Sequence, residues 1–338
     1  MKRIQNPPNP FSSENLDYLE EMIPPARLEV FEDATRTILA RNESPDLGFR
    51  WSLNPYRGCA HACAYCYARP SHEYLGFGAG TDFETKIVVK RNAPNLLRET
   101  FLKPSWKGEL IIFSGDTDCY QPLEASYGLT RGCLRVCLEF GNPVGIITKS
   151  FLIVRDLDLL KQLDQRTHLG VTVSIPFADD PTGRQIEPHA ASISKRFEVV
   201  QKLAGVGIRV SVNVAPLIPG LNDSDIPQIL KRAKEGGATG AGLTLVRLPG
   251  NVKQVFASRL KAEFPLAYQK ILGRIRETRG GKLYDSEFGA RRTGKGPYWE
   301  NLRKMFEVSC EKFGLNGDEA QKRRPPFKRP SLQKEFAF

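Results

Sequence analysis

The sequence predicts an α/β protein in which about six strand-then-helix units build a parallel sheet, flanked by N- and C-terminal extensions. Short runs rich in β-branched and other apolar residues recur along the chain, and stretches with apolar residues three and four positions apart follow them. Strands that are apolar throughout and separated by helices are typical of parallel sheets covered on both faces. Six units are fewer than the eight of a closed TIM barrel. A length of 338 residues suffices for one large α/β domain with extensions.

The predicted strands follow one another at intervals long enough to hold a helix. In chain order they cover residues 49–53, 109–113, 144–148, 171–175, 209–214 and 242–246. Helices are predicted at about 123–140, around 157–163, around 193–204, from 224 or 225 onward, and at about 252–279. Because each helix returns the chain to the same edge of the sheet, all six strands are expected to end at one edge.

These elements divide the chain into three parts. Residues 1–45 are predicted to be an N-terminal wrapping extension, 46–279 the barrel, and 280–338 a basic C-terminal extension. The end of the last part is rich in Lys, Arg and Pro, which predicts a disordered tail. Glycines at 76, 78 and 80 predict a flexible loop rather than a nucleotide fingerprint, because no strand-turn-helix context surrounds them.

The most specific motif is a run of three cysteines directly after the first predicted strand. Cys59, Cys63 and Cys66 are spaced C-x3-C-x2-C. Three thiolates can hold a polynuclear iron site and leave one iron of a 4Fe–4S cluster without a protein ligand. A structural zinc site stays an alternative, although it normally uses four ligands in two knuckles. Disulfides are disfavoured because the seven cysteines are odd in number and no signal-peptide-like stretch opens the chain.

This spacing, with Tyr65 just before the last cysteine, resembles the signature of the radical S-adenosylmethionine (radical SAM) superfamily. The resemblance implies a partial (β/α)6 TIM-like barrel that binds a 4Fe–4S cluster and S-adenosylmethionine. One electron from the cluster would cleave S-adenosylmethionine, and the resulting 5′-deoxyadenosyl radical would take hydrogen from a substrate. Tyr65 corresponds to an aromatic position near the adenine, and packing in the core is its alternative.

Polar residues at the carboxyl ends of later strands are the further candidates for cofactor binding. After the second strand, Ser114, Asp116 and Asp118 stand where family members have a Gly-Gly-Glu-like stretch for the methionyl amine, although a helix-capping turn would use the same residues. The resemblance places Lys149 and Ser174 near the carboxylate and ribose, and Asn213 near the adenine. The family's usual glycine-rich stretch for the adenine is not recognisable at 210–217.

A wider pattern narrows the resemblance to one branch. Residues 54–59, 66–69, 81–87 and 117–124 are similar to bacterial DNA repair photolyase-like proteins grouped with spore photoproduct lyase. That branch implies a lyase-like reaction in which a cysteine at the end of the second strand donates hydrogen. Gly115 stands near that position and Cys119 follows it, so Cys119 is the candidate hydrogen donor.

The remaining cysteines and histidines are expected to be structural. Cys133 and Cys137 are four positions apart, so they share one face of a helix and are predicted to be core residues. An auxiliary cluster that uses them with Cys119 or Cys310 is the alternative. His61 and His72 are expected to pack in the loops around the cysteines.

Charge and hydropathy indicate the partners. The formal net charge of +11 favours nucleic acid as a partner, and the resemblance implies a reducing partner such as flavodoxin or ferredoxin. No apolar run approaches the roughly 18 residues that cross a bilayer, so no membrane contact and a cytoplasmic location are expected. A radical SAM enzyme acting on a small molecule or a protein, and a non-catalytic iron–sulfur binding module, stay as alternatives.

Overall fold

The computed structural model describes residues 27–316 and 326–329. Most of the predicted N-terminal extension before residue 27, and most of the predicted disordered tail, lie outside the described residues. The strands in chain order are β1 (Glu29–Glu32), β2 (Leu39–Arg41), β3 (Trp51–Leu53), β4 (Tyr56–Arg57), β5 (Lys86–Val89), β6 (Ile111–Phe113), β7 (Val144–Thr148), β8 (Leu169–Ser174), β9 (Val210–Leu217) and β10 (Gly240–Leu245).

Six parallel strands form the central sheet, as predicted. The order of the sheet is β10-β9-β8-β7-β6-β3-β2, and only the edge strand β2 runs antiparallel to its neighbour. The strands pair in sequence order from β3 through β6 to β10, and β10 and β2 form the two open edges. The expected α/β partial barrel is therefore confirmed, and it stays open because six parallel strands do not close into a TIM barrel.

Helices cover the sheet and bury their apolar faces against it. They are α1 (Thr81–Thr85), α2 (Ala93–Leu102), α3 (Glu124–Tyr127), α4 (Leu129–Phe140), α5 (Leu157–Arg166), α6 (Asp180–Ile186), α7 (Ile193–Gly205), α8 (Ile226–Glu235), α9 (Val252–Glu263), α10 (Tyr268–Glu277) and α11 (Gly296–Phe313). In α8 the residues Ile226, Ile229, Leu230 and Ala233 are completely buried, at the spacing of one helix face.

Two predicted helices are each divided in the structure. The helix predicted at about 123–140 is interrupted at Gly128, which has φ of +62° and ends α3 in the left-handed conformation. The helix predicted at about 252–279 is divided into α9 and α10 at Phe264 and Pro265, because a proline cannot donate the hydrogen bond that would continue the first helix.

A second, smaller sheet supports the cysteine loop. Its order is β1-β5-β4, with β1 parallel and β4 antiparallel to the central strand β5. The segment between the cysteines and β5 contains a 3-10 helix, Arg69–Leu75, and α1. The cysteine loop therefore follows β3 and β4, and the amide of Cys59 donates to the carbonyl of Phe83 in α1 over 2.9 Å.

Four residues of the predicted tail are described, and they pack against the outer side of the barrel. The ring of Phe327 lies 5.7 Å from that of Phe101 and 5.9 Å from that of Phe140. The Arg329 guanidinium donates to the carbonyl oxygens of Phe101, Lys103 and Trp106. The Phe101 carbonyl lies in the last turn of α2, where carbonyl groups have no partner within the helix. In the part of the chain that the structure describes, no helix is both long and apolar enough to span a membrane.

Candidate functional site

The cysteine loop begins at a glycine that the local backbone requires. Gly58 has φ of +74°, and a Cβ there would lie 3.0 Å from the carbonyl oxygen of Lys86 and from the ring of His72. The Gln121 side chain holds the loop from the other side. It donates to the Gly58 carbonyl over 3.0 Å and accepts from the amide of Ala60 over 3.1 Å. The loop is thus bonded to the segment that follows β6.

The three cysteines occupy one buried region. Cys59 and Cys63 are 6% and 7% exposed, and Cys66 is partly exposed. Burial raises the pKa of all three thiols, that of Cys59 to about 12, and the nearby Cys66 contributes to raising the pKa of both Cys59 and Cys63. Thiolates in such surroundings need a bound cation to balance their charge. Within the described ranges, no three or more His, Cys, Asp or Glu side chains lie close enough to share one metal ion.

A buried arginine fixes the middle of the loop. The Arg69 guanidinium donates to the Cys63 carbonyl over 2.8 and 3.1 Å, and to the carbonyls of Ala79 and Gly80 over 2.9 Å. It also pairs with Glu84 over 2.5 Å. Arg69 therefore ties the loop to the segment before α1. Its role was not predicted from the sequence, because nothing local distinguishes it from a surface arginine.

Asp118 joins the loop to two strand ends. Its carboxylate accepts from the Thr148 hydroxyl and the Lys149 amide, each over 2.8 Å, and from the Tyr120 amide over 2.9 Å. Nδ1 of His61, within the cysteine loop, lies 3.5 Å away. Both carboxylate oxygens thus already accept hydrogen bonds that hold the turn to the strand ends, and a role of Asp118 toward an ammonium ion stays a prediction.

Asp116 and Ser114 lie in the same turn with different surroundings. Ser114 has φ of +75°, and its hydroxyl accepts from the Cys119 amide over 2.8 Å, which stabilises the turn. The Asp116 carboxylate accepts only from the Ser71 hydroxyl, over 3.2 Å, among the hydrogen bonds of the described residues. Burial raises the pKa of Asp116. Of the three candidates for an amine, Asp116 retains the most free hydrogen-bonding capacity.

Two of the residues predicted to contact the cofactor have a buried polar atom without a hydrogen-bond partner. The hydroxyl of Tyr65 and Oδ1 of Asn213 are buried and have no hydrogen-bond partner in the described structure. The Lys149 ammonium lies 5.7 Å from the centre of the Tyr65 ring, and Ser174 is buried at the end of β8. Buried polar atoms without partners are unfavourable unless a ligand bonds them. The residues present therefore fit a polar ligand next to the cysteine loop.

Cys119 is placed differently from the other candidates. It is completely buried in the main apolar core, and its carbonyl accepts from the Thr130 hydroxyl over 2.6 Å. Its role as hydrogen donor stays a prediction. At Gly115 a Cβ would lie 2.7 Å from Cβ of Ser52, so the turn has no room for a side chain. The Gly115 carbonyl instead accepts from the Tyr67 hydroxyl over 2.9 Å.

The cysteines of α4 lie outside this region. Cys133 and Cys137 are completely buried on the inner face of α4 and belong to the main apolar core, as expected for core residues. His72 packs beside Phe77 and Phe83, in agreement with its predicted packing role.

Comparisons with known proteins were made for the whole chain. A family model described as the radical SAM superfamily matches residues 53–233. An uncharacterised protein of Mycobacterium tuberculosis is 35% identical over 286 residues, covering 82% of this chain and 80% of the relative. The radical SAM Nalpha-GlyT isomerase of Pseudomonas phage M6 is 23% identical over 264 residues, which cover 77% of this chain and 51% of the isomerase.

Among solved structures, spore photoproduct lyase shares the fold. A double mutant with bound AdoMet and dinucleoside spore photoproduct has a TM-score of 0.57 and 17% sequence identity. The match covers 85% of this chain and 79% of that chain. A single mutant of the same lyase gives a TM-score of 0.58 with 16% identity, covering 86% of this chain and 80% of that chain.

Proposed function

Since the chain belongs to the radical SAM superfamily, we propose that Cys59, Cys63 and Cys66 hold a 4Fe–4S cluster and that S-adenosylmethionine binds beside it at the carboxyl ends of the strands. The observation that carries this proposal is the pair of unsatisfied buried atoms, the Tyr65 hydroxyl and Asn213 Oδ1. One lies on the cysteine loop and the other on β9, so the proposed ligand would extend from the loop across the sheet edge to β9.

The chain is a radical SAM enzyme, and different residues of the site bind different parts of S-adenosylmethionine. Asp116 accepts from the methionyl amine, because its carboxylate has free capacity beside the cysteines. Lys149 pairs with the methionyl carboxylate, while Ser174 contacts the ribose. Tyr65 and Asn213 receive the adenine. Asp118 holds the turn and the strand ends that position these groups.

The protein also excludes water from the reacting centre. Cys59, Cys63 and Tyr65 are each less than 8% exposed, and His61 within the loop is also buried. When bound, the cluster and S-adenosylmethionine supply a 5′-deoxyadenosyl radical, formed by one-electron cleavage that also yields methionine, and this radical removes a hydrogen atom from the substrate. A dry, enclosed site protects such a radical from side reactions. A reducing partner such as flavodoxin or ferredoxin would supply the electron.

The proposed substrate is a base within nucleic acid, in a reaction resembling that of a repair lyase. The formal net charge of +11 supports a polyanionic partner. The spore photoproduct lyase that shares the fold has a bound dinucleoside spore photoproduct, which supports the same substrate class. A small molecule or a protein side chain is the competing substrate class.

The test measures 5′-deoxyadenosine. Full-length protein is reconstituted anaerobically with iron and sulfide, reduced, and given S-adenosylmethionine with ultraviolet-irradiated DNA, with RNA, or with neither. The proposal predicts product from the wild type, at a higher rate with DNA, and none from the Cys59→Ala/Cys63→Ala/Cys66→Ala variant. Product whose rate is indifferent to DNA and RNA would reject the nucleic-acid substrate, and no product from a fully loaded protein would reject the radical chemistry.

A further inference from the structure

Three arginines lie near the end of β10, and one of them contacts an exposed tyrosine. We call Arg247, Arg291 and Arg292 the arginine rim. Arg247 follows β10 by two residues, and the amide of Leu245 at the end of that strand donates to the carbonyl of Arg292 over 3.0 Å. The rim therefore lies at the same edge of the sheet as the cysteine loop, although its members are about 45 residues apart in the chain.

The segment that carries Arg291 and Arg292 is held by a fourth arginine beneath it. The buried Arg279 guanidinium donates to the carbonyls of Ala290 and Thr293 over 3.1 Å and of Arg291 over 3.0 Å. It also donates to the Val246 carbonyl over 2.7 Å, next to Arg247. Four hydrogen bonds from one buried guanidinium to backbone carbonyls hold the backbone that carries the rim.

Within the rim, Arg247 lacks a polar partner. Its Nε is buried without a hydrogen bond, and its side chain forms no hydrogen bond or ion pair with another described residue. By contrast, Arg291 pairs with the Asp46 carboxylate over 2.5 Å, and Arg292 donates to the Asp46 carbonyl over 3.0 Å. The Asp46 carboxylate is thus already neutralised by Arg291. The charges of Arg247 and Arg292 are left without a carboxylate partner among the described residues.

The guanidinium of Arg247 stacks on Tyr67. It lies 4.8 Å from the centre of that ring, a cation–π contact that orients the guanidinium plane. Tyr67 directly follows Cys66, is 42% exposed, and is anchored through its hydroxyl to the Gly115 carbonyl. An anion bound by Arg247 would therefore lie immediately beside the cysteine loop.

We propose that Arg247 binds a phosphate of a nucleic-acid strand, with Arg292 beside it, and that the exposed part of Tyr67 contacts the adjoining sugar or base. This rests on the proposed function and identifies where its substrate backbone enters the site. An arginine fork fits phosphate oxygens in a bidentate way, and aromatic rings are common platforms for single-stranded bases. Phosphate is favoured over the carboxylate of S-adenosylmethionine because Lys149, next to Tyr65, already serves that role in the proposed site.

The experiment is a salt titration of binding. Full-length wild type, Arg247→Gln, Arg247→Lys and Arg135→Gln are titrated against a fluorescein-labelled 15-nucleotide single-stranded DNA, followed by anisotropy at several salt concentrations. Arg135 is an exposed arginine on α4, so Arg135→Gln changes the net charge equally outside the rim. We expect Arg247→Gln to weaken binding about tenfold and to reduce the slope of log K against log salt by about 0.7. Arg247→Lys keeps the charge, so its affinity for DNA should lie between those of the wild type and Arg247→Gln. Arg135→Gln should bind DNA as the wild type does.

The outcomes separate the two proposals. If the wild type binds DNA and Arg247→Gln binds as tightly as Arg135→Gln with the same salt slope, the role of Arg247 is wrong and the proposed function stands. If the wild type binds no nucleic acid, the substrate class itself fails. If Arg247→Gln instead weakens binding of S-adenosylmethionine and not of DNA, Arg247 belongs to the cofactor site. Thermal unfolding of each variant excludes a general loss of structure, and Arg292→Gln provides a second variant of the rim with the same expected direction.

Discussion

The replacement of Arg69 by Met gives the sharpest test of how the cysteine loop is held. Arg69 is completely buried, pairs with Glu84, and donates to the carbonyls of Cys63, Ala79 and Gly80. Methionine fills most of the same space but leaves the Glu84 carboxylate buried without its cation. Removing one partner of a buried ion pair costs about 3–5 kcal/mol. We therefore expect Arg69→Met to lower the free energy of unfolding by about that amount and to reduce the iron bound after reconstitution.

The matched control is an exposed ion pair of the same type. Arg98 on α2 pairs with Glu139 on α4, and their side chains are 43% and 37% exposed. Pairs of this kind contribute about 0–1 kcal/mol, so Arg98→Met should change the free energy of unfolding little and leave the iron content unchanged. Urea denaturation of both variants, followed by circular dichroism, gives the comparison.

The reasoning also predicts coupling between the two buried residues. Glu84→Leu in the Arg69→Met background removes the uncompensated charge, so the double variant should be more stable than Arg69→Met alone. Two results would refute the account: an Arg69→Met variant no less stable than Arg98→Met, or a double variant whose loss equals the sum of the single losses.

Three further predictions concern the surroundings of the cysteines. Asn213→Leu removes the unsatisfied Oδ1, so it should leave the unfolding free energy nearly unchanged while weakening S-adenosylmethionine binding about tenfold in calorimetry; unchanged binding would remove Asn213 from the cofactor site. Burial lowers the pKa of His72 to about 4 from an ordinary value of 6.5, so on acidification the unfolded state takes up a proton that the folded state does not. Stability should therefore fall between pH 6.5 and pH 4 by up to about 3 kcal/mol from this group, and the fall measured by urea denaturation should be smaller in His72→Gln; equal falls would contradict the assignment. Gly115→Ala should cost about 1–3 kcal/mol because its Cβ would meet that of Ser52 at 2.7 Å, and Ser52→Gly in the same chain should recover part of the loss; a stable Gly115→Ala variant would show that the turn has room.

Local patterns were sufficient to predict the fold because its main elements are local. Most of the six parallel strands are short runs of apolar residues, and each lies within a few residues of its predicted place. Gly128 and Pro265 are residue types that often end helices, but the apolar periodicity continues on both sides of each. The sequence therefore predicted one continuous helix in each place where the structure has two. Because parallel strands end at one edge, the sequence also led us to expect the candidate residues at that edge, where the Lys149 ammonium lies 5.7 Å from the centre of the Tyr65 ring.

Long-range contacts were the part that local patterns could not predict. From the sequence alone Arg69 resembles a surface arginine, because its partners, the carbonyls of Ala79 and Gly80, come close to it only in the folded chain. Asp118 was one of three candidates for the amine, and the sequence did not show that its oxygens accept hydrogen bonds from groups about 30 residues further along, at the end of β7. Arg247 and Tyr67 are 180 positions apart, and only the return of β10 to the same sheet edge brings them together.

The most direct test of the account is electron paramagnetic resonance of the reduced, reconstituted protein with and without S-adenosylmethionine. We predict about four irons per chain and a spectrum that changes when S-adenosylmethionine is added, because one iron has no protein ligand. The Cys59→Ala/Cys63→Ala/Cys66→Ala variant should lose both the iron and the signal, whereas Cys133→Ala/Cys137→Ala should keep them. Iron retained by the triple variant, or a wild-type spectrum unaffected by S-adenosylmethionine, would contradict the assignment of these three cysteines as the centre of the enzyme.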